Sequence, residues 1–147
     1  MFLGQYEHSI DDKGRMTIPA RYREVLAAEG AFMTRGFDHN LMVITTSTFE
    51  NMYKRVNEMN LTDQNARLLK RLIFSSAERV EIDKAGRILI PQFLRQAIGL
   101  NGPVMIVGTG EYFEIWSQDQ WAHQDTLLQD VDANTQRFAA LDLSMRM

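Results

Sequence analysis

The sequence contains no cysteine. Disulfide bridges, thiolate zinc sites and a thiol nucleophile are thereby excluded, and a reducing cytoplasm is the natural compartment. No apolar stretch approaches the roughly 18 residues a membrane-spanning helix needs, and the N-terminus lacks a basic-then-apolar signal. The expectation is a cytoplasmic protein with no membrane partner. Histidine is scarce too. His8, His39 and His123 are too dispersed for a ligand spacing such as H-x-x-x-H. No metal, no cofactor, no catalytic residue and no small-molecule substrate are expected. Gly108-x-Gly110 sits in a predicted hairpin turn, without the strand-to-helix context of a nucleotide fingerprint. Positive charge is also in deficit, with 16 Lys and Arg against 19 Asp and Glu and a net charge of −3. Taken alone, that balance counts mildly against a nucleic-acid partner.

What is present is an ordinary globular composition: 147 residues, 45% hydrophobic and 24% charged. Such a chain suffices for one domain or for two small halves sharing a core. The charge is unevenly placed. Residues 111–142 hold seven acids and one base, Arg137, and with Arg146 counted apart, residues 1–110 are left at net +2. A surface this weakly basic would need several copies to hold a polyanion.

The dominant feature is an internal repeat. Ser9-Ile10-Asp11-Asp12-Lys13-Gly14-Arg15-Met16-Thr17-Ile18-Pro19 returns 72 residues later as Glu81-Ile82-Asp83-Lys84-Ala85-Gly86-Arg87-Ile88-Leu89-Ile90-Pro91. At that offset, ungapped, Arg23 matches Arg95, Gly30 matches Gly102, Met33 matches Met105 and Gly36 matches Gly108. Ten of the 41 aligned positions up to Phe49/Trp121 are identical.

Each copy reads as strand, turn, strand, helix, hairpin, helix. Gln5–Ile10 is extended, Asp11–Gly14 has turn composition, and Arg15–Ile18 alternates. Pro19 suits the first position of a helix through Ala20–Glu29, with Gly30 as its stop. Ala31–Phe37 and Leu41–Thr45 form a predicted hairpin, and Ser47-Thr48-Phe49-Glu50 reads as a capping box opening a further helix. In the second copy Glu78–Ile82, Arg87–Ile90, Val104–Val107 and Tyr112–Trp116 are the strands. Pro91 opens the helix there, and Ser117 is the cap of the helix holding Trp121. The organisation expected is a first unit over 1–60, a linking amphipathic helix over 61–76, a second unit over 77–128, and an acidic helix or tail over 129–147. Neither unit of about 40 residues buries a sufficient core alone. The expected fold is α+β, with the strands of both units closing into a pseudo-twofold β-barrel that removes exposed edges.

Strand parity turns Arg15 and Arg87 away from the core face carrying Met16, Ile18, Ile88 and Ile90. Gly14 and Gly86 precede them and allow close backbone approach to another surface. Arginine presents a planar fork of donors suited to phosphate oxygens or guanine O6 and N7. Lys13 and Lys84 add charge nearby, at non-corresponding positions. Asp11 and Asp83 either cap the turn or fix the arginine. A purely structural role, each Asp–Arg pair stapling its own turn, fits the sequence equally well.

These motifs resemble those of the MraZ family, within the SpoVT/AbrB-like swapped-hairpin group. The resemblance rests on Met1-Phe2-Leu3-Gly4, Asp11-x-x-x-Arg15, Pro19-x-x-Tyr22-Arg23, Asp83-x-x-x-Arg87, Ile90-Pro91 and Leu94-Arg95, and it fades beyond about Val131. It implies two tandem AbrB-like swapped-hairpin halves in one chain, with further copies forming a homo-oligomeric ring. It further implies a nucleoid-associated repressor binding short tandem repeats of double-stranded DNA upstream of the division and cell-wall gene cluster, its own promoter included. Arg15 and Arg87 would face the DNA, with Lys13 and Lys84 beside them. The main rival is an AbrB-type antitoxin, or other protein-binding module, using the acidic C-terminal segment. A ring with a purely structural role is the other. The basic cluster Lys54, Arg55, Arg67, Lys70 and Arg71 reads more simply as a solvated helix face.

Overall fold

A computed structural model describes residues 1–143. Period-two alternation and glycine-bearing turns set its first elements, β1 (Gln5–Ser9) and β2 (Arg15–Thr17). Helix α1 (Ala20–Glu29) follows, then the hairpin β3 (Ala31–Arg35) and β4 (Leu41–Thr45), and α2 (Thr46–Asn57). Helix α3 (Gln64–Phe74) leads into β5 (Glu78–Val80), β6 (Arg87–Leu89), α4 (Gln92–Ala97), β7 (Pro103–Gly108), β8 (Tyr112–Ser117) and α5 (Gln118–Leu128). A short α6 (Val131–Phe138) and a 3-10 turn, Ala139–Leu141, close the described chain.

Two helix starts differ from expectation. Pro19 and Pro91 occupy the cap, with ψ of 139° and 147°, so each helix begins one residue later. The capping box does not form: α2 begins at Thr46, and no side chain caps it. Ser47 instead lies 3.4 Å from Glu29 Oε1, across from the end of α1. Ser117 does cap α5, accepting from the Gln120 N–H.

The strands form a six-stranded antiparallel sheet, β1-β7-β8-β4-β3-β5, and a two-stranded ribbon, β2-β6. Strands are exchanged between the halves of the chain, since β1 pairs with β7 and β5 with β3. The sheet order therefore reads the same from either end. The strands form these two sheets and not one continuous closed barrel; the single bridges Ile10↔Met16 and Ile82↔Ile88 link the ribbon strands to the chain just after β1 and β5.

The ungapped offset of 72 fails inside the hairpins. Ala31 and Met33 point into the main core from β3, whereas Val104 and Ile106 do so from β7. Met105 turns to the opposite face, beside Trp116 and Trp121. Successive strand residues face opposite ways, so this one-residue slip decides which side chains are inside. Cross-strand pairing agrees, with Met33 opposite Val43 and Ile106 opposite Ile115. Leu41 and Val43 match Phe113 and Ile115 in the core, which restores the original spacing.

The main core lies between the ribbon with α1 and α4 and one face of the sheet. Met16, Ile18, Ile88 and Ile90 are almost wholly buried there. Phe2 plugs it from the N-terminal end, edge-on to Tyr22 at 5.0 Å and to Phe113 at 5.2 Å. Its backbone exchanges hydrogen bonds of 2.7 and 2.8 Å with Gly110. Tyr22 donates its hydroxyl proton to Leu3 O at 2.7 Å. Burial, reinforced by Tyr6, pushes the Tyr22 hydroxyl up to about 12. On the opposite face α2 and α3 cover Met42 and Ile44, with Ile73 fully buried. Trp121 of α5 covers Met105, Val107 and Trp116.

Candidate functional site

The two Asp-x-x-x-Arg turns fold alike. Asp11 Oδ1 accepts from the Lys13 and Arg15 N–H groups at 3.0 and 2.9 Å. Asp83 Oδ1 accepts from the Ala85 and Arg87 N–H groups, both at 2.9 Å. Each second carboxylate oxygen accepts from the arginine Nε, at 2.9 Å for Asp11–Arg15 and 3.0 Å for Asp83–Arg87. Gly14 and Gly86 adopt φ of +85° and +78°, and each N–H closes the turn onto the aspartate carbonyl at 3.0 Å. These N–H bonds, led by the arginine backbone, hold both aspartates below the usual carboxylate range. Each carboxylate thus supports its turn and fixes one edge of the guanidinium. Only Nε is engaged. Four of the five guanidinium donors remain available to a ligand.

The ribbon brings the two arginines together. Met16 and Ile88 pair at its centre with their side chains inward, while Arg15 lies opposite Leu89 and Thr17 opposite Arg87. Arg15 and Arg87 are consequently diagonal neighbours on the outward face, a spacing of roughly 7–8 Å for an antiparallel pair. Both line one shallow hollow with Leu89 and the acidic residues Glu81 and Asp83. Lys13 and Lys84 stand exposed at the turn tips. Among the described residues their side chains make no ion pair, and the only two ion pairs are the Asp–Arg pairs themselves.

A second pair of arginines, noted in the sequence as part of the repeat and of the family motifs but given no site role, crosses between the two turns. Arg23 donates from Nε to Ile18 O at 2.8 Å, and Arg95 to Ile90 O at 3.0 Å. A Cβ placed on Gly86 would sit 2.5 Å from Arg23 Cζ, and one on Gly14 would sit 2.8 Å from Arg95 Cζ. Each guanidinium therefore lies against the turn of the other half. The same crossing is made by the backbone, Ile18 N–H to Gly86 O at 2.9 Å and Ile90 N–H to Gly14 O at 2.8 Å. Recurrence of Arg23 as Arg95 was the available signal, but sequence could not show which turn each would meet. Arg23 also reaches His8, whose pKa is lowered by burial and then by that charge.

This face lies across the sheet from the acidic helix α5. The ribbon covers one side of the six-stranded sheet, whereas α5, with Asp119 and Asp125, packs on the other. No group of three or more potential metal-binding side chains exists among the described residues. No described helix is long and apolar enough to cross a membrane.

A family model described as "MraZ protein, putative antitoxin-like" matches this chain twice, over residues 1–72 and 73–142. The "Transcriptional regulator MraZ" of Roseiflexus castenholzii is 44% identical over 139 residues, covering 95% of this chain and 94% of that protein. The protein of the same name from Thermomicrobium roseum is 42% identical over 128 residues, 87% of this chain and 89% of its own length. That of Carboxydothermus hydrogenoformans is 43% identical over 121 residues, 82% and 84% respectively. A match over both halves and identity at this level along nearly the full length lead to one conclusion: the chain belongs to the MraZ family.

Proposed function

We propose that the protein is a sequence-specific DNA-binding transcriptional regulator that uses the ribbon face to grip double-stranded DNA. The observation that carries this reading is the paired presentation of Arg15 and Arg87. Each is fixed through Nε on the outward face of a two-stranded ribbon, with no hydrogen bond to its terminal nitrogens among the described residues. The major groove of B-DNA, about 12 Å wide, admits such a ribbon. Pre-orientation by Asp11 and Asp83 lowers the ordering cost of binding, and Lys13 and Lys84 supply phosphate contacts at the rim. Relatives named as transcriptional regulators support the same role.

One ribbon offers few charges, so affinity comes from several copies. A closed homo-oligomeric ring would present ribbons at regular spacing to short tandem boxes, where linked weak contacts add by effective concentration. Residues 1–60 and 77–128 then act as two units of each chain, bridged by 61–76. The target is the division and cell-wall gene cluster with the regulator's own promoter, the effect is repression, and the location is the nucleoid. The test is a gel shift on the protein's own upstream region. Arg15→Ala and Arg87→Ala should each weaken retention by about 1–3 kcal/mol while the mass in solution stays that of the wild type. Loss of assembly with unchanged DNA affinity would restore the turn-staple role.

The antitoxin-like description of the family model favours a second reading, in which the C-terminal segment binds a protein. Leu127, Leu128, Val131 and Phe138 are exposed there. DNA retention by the purified chain alone, abolished by the arginine variants, decides for the first.

A further inference from the structure

The outward face of the ribbon carries four side chains, Arg15 and Thr17 from β2 and Arg87 and Leu89 from β6. At the 72-residue offset the two arginines match each other. The other two positions differ, because Thr17 of the first half becomes Leu89 in the second. Arg15, Thr17 and Arg87 are half-buried, whereas Leu89 is 60% exposed. A lone exposed leucine is ordinary on a protein surface. Position gives this one its meaning. It stands directly across the ribbon from Arg15, two residues beyond Arg87 on its own strand, and it lines the hollow that both arginines share.

A ligand gripped by the two arginines therefore also meets Leu89. Directly opposed residues of an antiparallel pair have Cβ atoms about 4.5–5.5 Å apart, and successive bases of one DNA strand lie about 3.4 Å apart. Leu89 is thus held within about one or two base steps of the point that Arg15 reaches. Base edges in the major groove present hydrogen-bonding atoms and one apolar group, the 5-methyl of thymine. Against a donor or acceptor, Leu89 would expel water without replacing its hydrogen bond, which is unfavourable. Against the methyl group, both partners bury apolar surface.

We propose that Leu89 is a specificity-determining residue, reading a thymine by apolar contact with its 5-methyl group beside the base pair that Arg15 meets. The proposal rests on the DNA-binding reading above and adds a base identity at one position. Thr17, half-buried and bearing a hydroxyl, offers less apolar surface at the matching place. The two ends of the ribbon are therefore chemically unequal towards a duplex, although the arginines are shared alike.

The test is retention of duplexes of the protein's own upstream region in which one thymine at a time is replaced by deoxyuridine, which lacks only the 5-methyl group. Wild-type protein should bind about fourfold more weakly when the contacted thymine is replaced, the equivalent of about 0.8 kcal/mol for one buried carbon group. Leu89→Ala should bind the unmodified duplex at least about fourfold more weakly and lose nothing further with deoxyuridine at that position. Leu89→Met keeps an apolar side chain and should keep the deoxyuridine loss. Leu89 is exposed, so both variants should melt as the wild type does. An equal deoxyuridine loss in wild type and Leu89→Ala would trace the effect to the shape of the duplex and overturn the contact. Indifference to deoxyuridine at every position, as for a leucine wedged between base steps, overturns it too. Both outcomes leave DNA binding standing. A wild-type protein that retains no duplex, or retention untouched by Arg15→Ala, overturns the DNA reading and the proposal with it.

Discussion

Replacing Gly86 by alanine isolates the contact between the two halves at the candidate site. Gly86 has φ of +78°, and the added Cβ would lie 2.5 Å from Arg23 Cζ and 2.6 Å from its Nε. An alanine in the left-handed region costs about 1–2 kcal/mol. Arg23 cannot yield freely, because its Nε is bonded to Ile18 O at 2.8 Å. Moving it sacrifices a charge-assisted hydrogen bond worth about 1.5–3 kcal/mol, for a total of roughly 3–5 kcal/mol. Gly99 supplies the control, with φ of +65° and nothing within 4 Å of a built Cβ. Gly99→Ala should carry only the backbone cost of about 1–2 kcal/mol. Urea unfolding at one fixed protein concentration measures both, which matters because assembly couples to stability. In an Arg23→Ala background, Gly86→Ala should fall to the Gly99→Ala value. An equal cost in both backgrounds would refute the crossing contact. So would a Gly86→Ala cost no larger than that of Gly99→Ala.

Three further outcomes concern the titrating groups. Asp11 and Asp83 are held below the usual aspartate range by the Arg15 and Arg87 backbone N–H groups first, then by the arginine side chains. A depressed carboxylate supports the folded turn above its unfolded value and loses that support as pH falls through the lowered one. Carboxyl NMR should therefore show both aspartates titrating below a free aspartate, with turn geometry unchanged from neutral pH down to about pH 5. Tyr22→Phe keeps the ring contacts but leaves Leu3 O without its donor, which should destabilise the chain by about 1–3 kcal/mol in urea melts. The Tyr22 hydroxyl is raised to about 12, so its neutral form supports the fold below the unfolded value and that support is lost as pH rises through about 12. Ultraviolet titration should find one tyrosine that ionises late in the wild type and is missing in the variant.

Much of the local structure was legible because local forces decide it. Asp11 and Gly14 close a turn through contacts no more than four residues apart, so the motif carries its own geometry. Parity placed Met16 inside and Arg15 outside for the same reason. Prediction failed where a neighbour distant in sequence intervened. The α2 start shifted to Thr46, and Ser47 lies across from Glu29 at the end of α1 instead of capping. Met33 and Met105 are identical in the repeat, yet they face opposite sides of the sheet. Identity at a fixed offset reports ancestry, whereas facing is set by strand register, and register depends on the pairing partner.

The sequence by itself determined that the chain carries two like units, each ending a turn with an outward arginine. Those properties follow from short-range hydrogen bonding and from the period of an extended chain. Only the tertiary structure decided that β1 pairs with β7 and β5 with β3. From that exchange come the shared ribbon, the side-by-side placing of Arg15 and Arg87, and the seating of Arg23 on Gly86. The physical reason is that a strand edge is satisfied by whichever complementary edge buries its apolar face best, and that choice is made between residues far apart in the chain.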